Sequence, residues 1–384
     1  MGRASTALLF LVFALVARFL SYHFFGGSPP FDSADRAADF LKVALALPGP
    51  SPASGSPGFD RLVNFYASSR DYHGELGVLH HMPLSIMGFL TARHLFAIIN
   101  PVILFLMLTA AFLTALCFVV RRYTGNVVWA VVVMCSFPIL YLVDRGNLNA
   151  ALTGLCIITA LLRRKPDWIA VILLALALNA RPNALFCVLP LVLIDWRFAV
   201  RLGLVGLAIM LVSFTVSHAI DPGYTVASSR ANLAVYVDWY VTNGRGILHG
   251  SSLYGALYAL GYPHRYFLPG LIGLGLLLPA ALLHLRQRLD YPSFVFVCCA
   301  VTAMTTAVFA DYHLVIFLVP LILSRDPTTF VASLLLLAPV PFAMIDHDTL
   351  RVVLNPAIMV AATVGIIARS LLVAPHDRKF ADGQ

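Results

Sequence analysis

Glutamate occurs once in this 384-residue chain, as Glu75, and the acids of both kinds total 18. Charged residues make up 11% of the chain and hydrophobic ones 60%. A soluble domain of this length cannot cover its surface with so little charge, so a soluble globular fold is excluded. Cysteine is also scarce. Cys117, Cys135, Cys156, Cys187, Cys298 and Cys299 lie inside apolar runs, with no Cys-x-x-Cys spacing. They read as small packing residues, and no disulfide framework or thiolate metal site is implied. There is no Gly-rich nucleotide loop, no Ser-His-Asp order, no redox pair and no internal repeat. Chemistry is left to carboxylates, Arg, His and backbone amides.

What the chain has in quantity is apolar length. Runs at 7–25, 101–120, 127–143, 202–217, 268–285, 294–309, 330–345 and 352–373 each approach the ~20 residues that an α-helix needs to cross a bilayer core. They are continuous and not alternating, which rules out a barrel. The expected fold is an all-α polytopic membrane protein. The first run reads as a retained first helix and not a cleaved signal, because it continues past Arg18 to a Gly-Gly-Ser-Pro-Pro turn.

The net charge of +8 sits mainly at the ends of these runs. It therefore reads as orientation and not as nucleic-acid binding; no nucleic-acid partner is expected. Placing Arg3, Arg121-Arg122, Arg163-Arg164-Lys165, Arg197 with Arg201, Arg286 with Arg288, Arg325 and Arg378-Lys379 in the cytoplasm gives about twelve crossings (range 10–13), with both termini inside. One integral membrane domain, 1–384, results. Two long polar loops, about 25–94 and 218–266, then fall outside. So do the turns holding Asp144 to Asn147, Asn179 to Arg181, Asp311 to His313 and Asp346 to Asp348. Unusual polar residues on one face point to a site there, although solvated loops would look the same.

Several patches are candidates. Asp32, Asp35 and Asp39 follow the first helix at i, i+3 and i+7, on one face if helical. Like charges this close repel unless a cation or proton is shared, so one could serve as a general base; Asp32 reads equally as an N-cap. Asn147 sits where it can cap the helix from Leu148, beside Asp144, Arg145 and Gly146. Arg181 stands at an interface where a guanidinium wants an anion, from a ligand or a lipid headgroup, and Pro182 should open the next helix. His313 and Asp311 top an apolar run; a lone His of this kind is often only hydrogen-bonded. His80, His81 and the Asp346–Asp348 trio lack zinc spacing. No cofactor is required, and a loosely held divalent cation is compatible with these carboxylates.

In chain order these patches resemble the multi-pass glycosyltransferases of family 87, within the C-type superfamily. That family includes the mannosyltransferases of mycobacterial phosphatidylinositol mannoside assembly. Asp35 stands where the family has an Asp after helix one, leading to Gly49 and Pro52. "HHMPL" at 80–84 replaces an aromatic-Pro-Pro-Leu. Gly146-Asn147-Leu148-Asn149 stands for a Gly-Gln-x-Asn turn, and Asn179-Ala180-Arg181-Pro182 for Lys-x-x-Pro. "GSSLYGAL" at 250–257 matches an Asn-x-Ser-Leu-x-Gly. His313 to Pro320 matches a His, apolar run and Pro. Asn179 stands at the family's Lys position, so Arg181 is the residue that would supply the charge.

The resemblance implies a C-type fold with an outer catalytic loop and a groove open to lipid. It also implies a polyprenyl-phosphate sugar as donor, a lipid or glycan acceptor and contact with membrane lipids, on the extracytoplasmic side of a bacterial inner membrane. A hexose or pentose, mannose favoured, would be transferred with inversion. Asp35, or Asp32, would be the base. Arg181 first, then Arg245 or Arg145, with His313, would bind the donor phosphate. Asn147, Asp238, Trp239, Ser252 and His81 would shape the sugar and acceptor pocket, and Tyr236 and Tyr240 offer apolar faces. The competing reading is a carrier or flippase for a lipid-linked sugar, which would need a polar path through the membrane.

Overall fold

The computed structural model describes residues 2–25, 40, 82–242, 250–262, 267–338 and 348–372. In chain order the helices are α1 (Arg3–Phe25), α2 (Pro83–Leu95), α3 (Pro101–Thr124), α4 (Val127–Met134), α5 (Phe137–Arg145), α6 (Leu148–Arg163), α7 (Trp168–Ala180) and α8 (Leu189–Val192). There follow α9 (Arg197–Ile220), α10 (Val226–Tyr236), α11 (Leu253–Ala259), α12 (Phe267–Leu285), α13 (Tyr291–Thr305), α14 (Leu318–Leu323), α15 (Pro327–Leu337) and α16 (Asp348–Leu372). Tight 3-10 turns at Pro182–Val188 and Asp311–Phe317 precede α8 and α14. No strand occurs among the described residues beyond one isolated bridge, Gly250 to Ala310.

Five helices, α1, α3, α9, α12 and α16, are long and apolar enough to cross a bilayer. The pair α4–α5 makes a sixth span if counted as one, bent by 54°. Six further apolar segments run 10–17 residues. The sequence reading of 127–143 as one continuous span is therefore corrected. Ser136 and Pro138 interrupt it: Pro138 has no N–H and sits in the first turn of a new helix. Pro182 likewise opens a segment, but as a 3-10 turn and not an α-helix.

Burial sorts the helices by role. From Pro292 to Met304 every residue of α13 is buried, as expected of a helix apolar on every side at the centre of a bundle, where its few hydroxyls are hydrogen-bonded. The long helices instead expose Leu9, Phe13, Phe118, Leu204, Leu211 and Leu278 outward, a belt suited to lipid tails. Arg18, a charge within α1, lies with its guanidinium 4.8 Å from the Phe137 ring centroid, a cation–π contact that suits a poorly solvated position. All six cysteines are free thiols.

Hydrogen bonds define two opposite ends. At one end Tyr291 Oη donates to Leu161 O (3.0 Å), and Arg201 Nη2 bonds Pro166 O and Asp195. There too the Ser293 and Thr329 hydroxyls pair at 2.9 Å, Asp326 pairs with Arg369, and Arg3 lies over Phe330. These contacts join the end of α6 and the starts of α1, α7, α9, α13 and α15 into one basic face. Because α6 has 16 residues, its other terminus lies ~24 Å away. At that far end meet the starts of α2 and α6 and the ends of α7, α9 and α13.

Candidate polar site at the far end

The site is built from helix termini. Gly146 ends α5 in the left-handed region (φ 70°), which a side chain would strain. The next residue, Asn147, caps α6, its Oδ1 accepting from Ala150 N at 2.9 Å. Arg181 Nη2 donates to that same oxygen at 3.4 Å. Arg181 is the C-cap of α7, with extended backbone (φ −149°, ψ 98°), as a residue before proline must be. Its Nε is buried and has no acceptor among the described residues. Asn149 Nδ2 donates to Ser85 Oγ (2.8 Å), which donates to Ala180 O (3.3 Å), so α2, α6 and α7 are bolted together beneath the arginine.

The facing wall is the connection after α13. Gly250 runs against Phe309 and Ala310; a Cβ at Gly250 would come within 2.2 Å of Phe309 O, so only glycine fits this approach. The neighbouring Ser251 N donates to Phe309 O at 2.8 Å. Ser251 Oγ donates to Asp311 Oδ1 at 2.6 Å and accepts from Asn355 Nδ2 of α16 at 2.8 Å. Asp311 opens the 3-10 turn that carries His313. The imidazole is 7% exposed, 5.3 Å from the Phe309 ring and within electrostatic reach of Arg181. Gly154 of α6 meets this turn at Val315, close enough that an added Cβ would lie 2.8 Å from it.

Of the residues expected from sequence, Asn147, Arg181 and His313 are thus gathered at one place. Arg145 lies nearby in the last turn of α5, half-buried. Ser252 is buried, and its hydroxyl is engaged in structure: it caps α11 by accepting from Gly255 N (2.9 Å) and donates to Ala307 O (3.0 Å). Asp238 is exposed on a π-helical turn, Val237–Thr242, that also carries Trp239. Asn179 faces away, its amide bonding Ala175 O and Gly206 O. Asp32, Asp35, Asp39, His80, His81, Arg245 and the Asp346–His347 pair lie outside the described residues.

Sequence reasoning did not find Ser251 or Asn355, and it noted Asp311 without giving it a role. A signal existed for Asn355: it is a lone amide inside the apolar run 352–373.

Chemically the described cluster offers a guanidinium, an imidazole, three amides and one buried carboxylate. Among the described residues no group of three or more His, Cys, Asp or Glu is arranged to hold a metal. An anion with adjacent hydroxyl groups suits this set better than a divalent cation does. The chain matches no protein-family model, no curated protein and no solved structure.

Proposed function

We propose that the protein transfers a sugar from a polyprenyl phosphate to a hydroxyl of a lipid or glycan acceptor. On this reading it spans a bacterial inner membrane about twelve times as one domain with a C-type glycosyltransferase fold, and works on the extracytoplasmic side. The observation that carries the reading is Arg181. A guanidinium at the membrane-proximal end of α7, with one buried N–H lacking an acceptor among the described residues and a buried imidazole within electrostatic reach, is costly unless an anion joins it. A lipid phosphate reaches such a position from the bilayer itself. That also accounts for a chain without nucleotide motifs, since the sugar arrives already activated.

In the proposed reaction Asp35 takes the proton of the acceptor hydroxyl as its oxygen attacks the sugar C1. The bond between C1 and the phosphate oxygen breaks with inversion, and its electron pair leaves on the polyprenyl phosphate. Alignment of acceptor, C1 and leaving oxygen supplies much of the rate. Arg181 neutralises the charge that develops on the leaving phosphate, and His313 hydrogen-bonds the phosphate or the sugar. A phosphate is a good leaving group, so no general acid is needed.

The test is transfer from polyprenyl-phosphate mannose by the purified protein carrying Arg181→Ala or Arg181→Lys. Losing a transition-state cation should lower kcat/KM by about 10²–10³-fold. Lysine should restore only part, because its ammonium lacks the planar fork with which a guanidinium holds two phosphate oxygens at once. Unchanged kcat and KM in Arg181→Ala would move the phosphate site elsewhere.

A further inference from the structure

Asn355 lies on α16 directly before Pro356 and is 3% exposed. Its contacts form a one-way chain: Asn355 Nδ2 donates to Ser251 Oγ (2.8 Å), and Ser251 Oγ donates to Asp311 Oδ1 (2.6 Å). Chemistry sets the direction. A carboxylate only accepts, so the serine proton goes to Asp311 and the serine lone pair takes the amide N–H. The amide orientation is thereby fixed, and Asn355 Oδ1 is turned away from Ser251. That oxygen is buried and accepts no hydrogen bond among the described residues. In an apolar surrounding an acceptor held this way is expensive, and it calls for a donor. It repels a phosphate oxygen, which is itself an acceptor.

We propose that Asn355 Oδ1 reads a hydroxyl group of the donor's sugar, with Ser251 and Asp311 as positioning residues that hold the amide in that orientation. The proposal rests on the reading of Arg181 as the phosphate's cation and extends it to the sugar. One short turn connects the two functions: Asp311 anchors the amide chain, and His313, two residues on, is within electrostatic reach of Arg181. A sugar phosphate carries its charge and its hydroxyls on different sides of one ring. It suits a site that offers both a guanidinium and an amide oxygen, each linked to that turn.

The experiment is binding of polyprenyl phosphate and of polyprenyl-phosphate mannose to the purified full-length protein in detergent, read as ligand-dependent thermal stabilisation. Wild type should bind the mannose-bearing lipid on the order of 10-fold more tightly than the bare one. Asn355→Leu should bind both equally, with its affinity for bare polyprenyl phosphate unchanged. Ser251→Ala, which frees the amide to turn, should shrink the preference in the same direction. Retention of the full preference by Asn355→Leu overturns the proposal. So does loss of binding to both lipids in that variant, since Asn355 then serves the fold. A wild type with equal affinity for the two lipids overturns sugar reading while leaving the phosphate site standing. A wild type that binds neither lipid overturns the functional reading itself.

Discussion

Arg181 and Asn147 share one oxygen: the side-chain carbonyl that caps α6 also receives the Arg181 guanidinium at 3.4 Å. Two helix ends 34 residues apart in sequence are fixed to each other through it, and the arginine is aimed by a cap.

This sharing separates two substitutions. Asn147→Ala removes the cap and should destabilise the protein by about 1 kcal/mol. Asn147→Asp keeps the cap but places a carboxylate against the guanidinium, where it competes with any other anion. We expect Asn147→Asp to melt at or above Asn147→Ala, yet to show the higher donor KM, on the order of 10-fold above wild type. Thermal unfolding and transfer kinetics on both variants check the crossed order.

Gly250→Ala should be damaging without touching any proposed ligand. Its new Cβ would lie 2.2 Å from the Phe309 carbonyl oxygen, a backbone atom that cannot swing aside. An overpacking cost of about 1–3 kcal/mol is expected. Gly275→Ala in α12, where nothing lies within 4 Å of the added Cβ, should be neutral or stabilising by up to about 1 kcal/mol. Melting temperatures of the two single variants decide it.

At the basic face Asp326 has two tasks. It pairs with Arg369, whose side chain is 54% exposed, and it caps α15 by accepting from Thr329 N at 2.8 Å. An exposed ion pair is worth less than about 1 kcal/mol, and a cap about that much by itself. Arg369→Ala should therefore shift stability less than Asp326→Ala, and added salt should narrow the difference little. Equal effects of the two substitutions would mean that the cap contributes nothing.

Much of this was readable beforehand, and the limits are physical. Apolar length gave away the long helices, and local rules found the Asn147 cap and the break at Pro182. Those depend on residues within one turn of each other. The split of 127–143 was harder, because Pro138 is compatible with either a kink or a first turn. Ser251, Asp311 and Asn355 were not assembled because Ser251 and Asn355 are 104 residues apart and meet only when α11 packs on α16. The helix-capping role of Ser252 shows the same limit from the other side: of two adjacent serines, folding decides which one stays available to a polar network.

Orientation is testable separately. In a background lacking the native cysteines, Lys165→Cys at the basic face and Pro222→Cys beyond α9 both put a thiol at an exposed position. A membrane-impermeant maleimide added to intact cells or spheroplasts should label position 222 and reach 165 only after lysis. The opposite pattern would put the Arg181 cluster in the cytoplasm and end the extracytoplasmic reading.

The most direct measurement is to incubate purified wild-type protein and its Asp35→Asn variant with a panel of polyprenyl-phosphate sugars and native lipid extract, and to read product masses. We expect wild type to add one hexose or pentose to an acceptor, with mannose the first candidate. The equally well-folded Asp35→Asn should add none. Near-normal turnover in that variant, or no mass increment from any donor with wild type, would contradict the account.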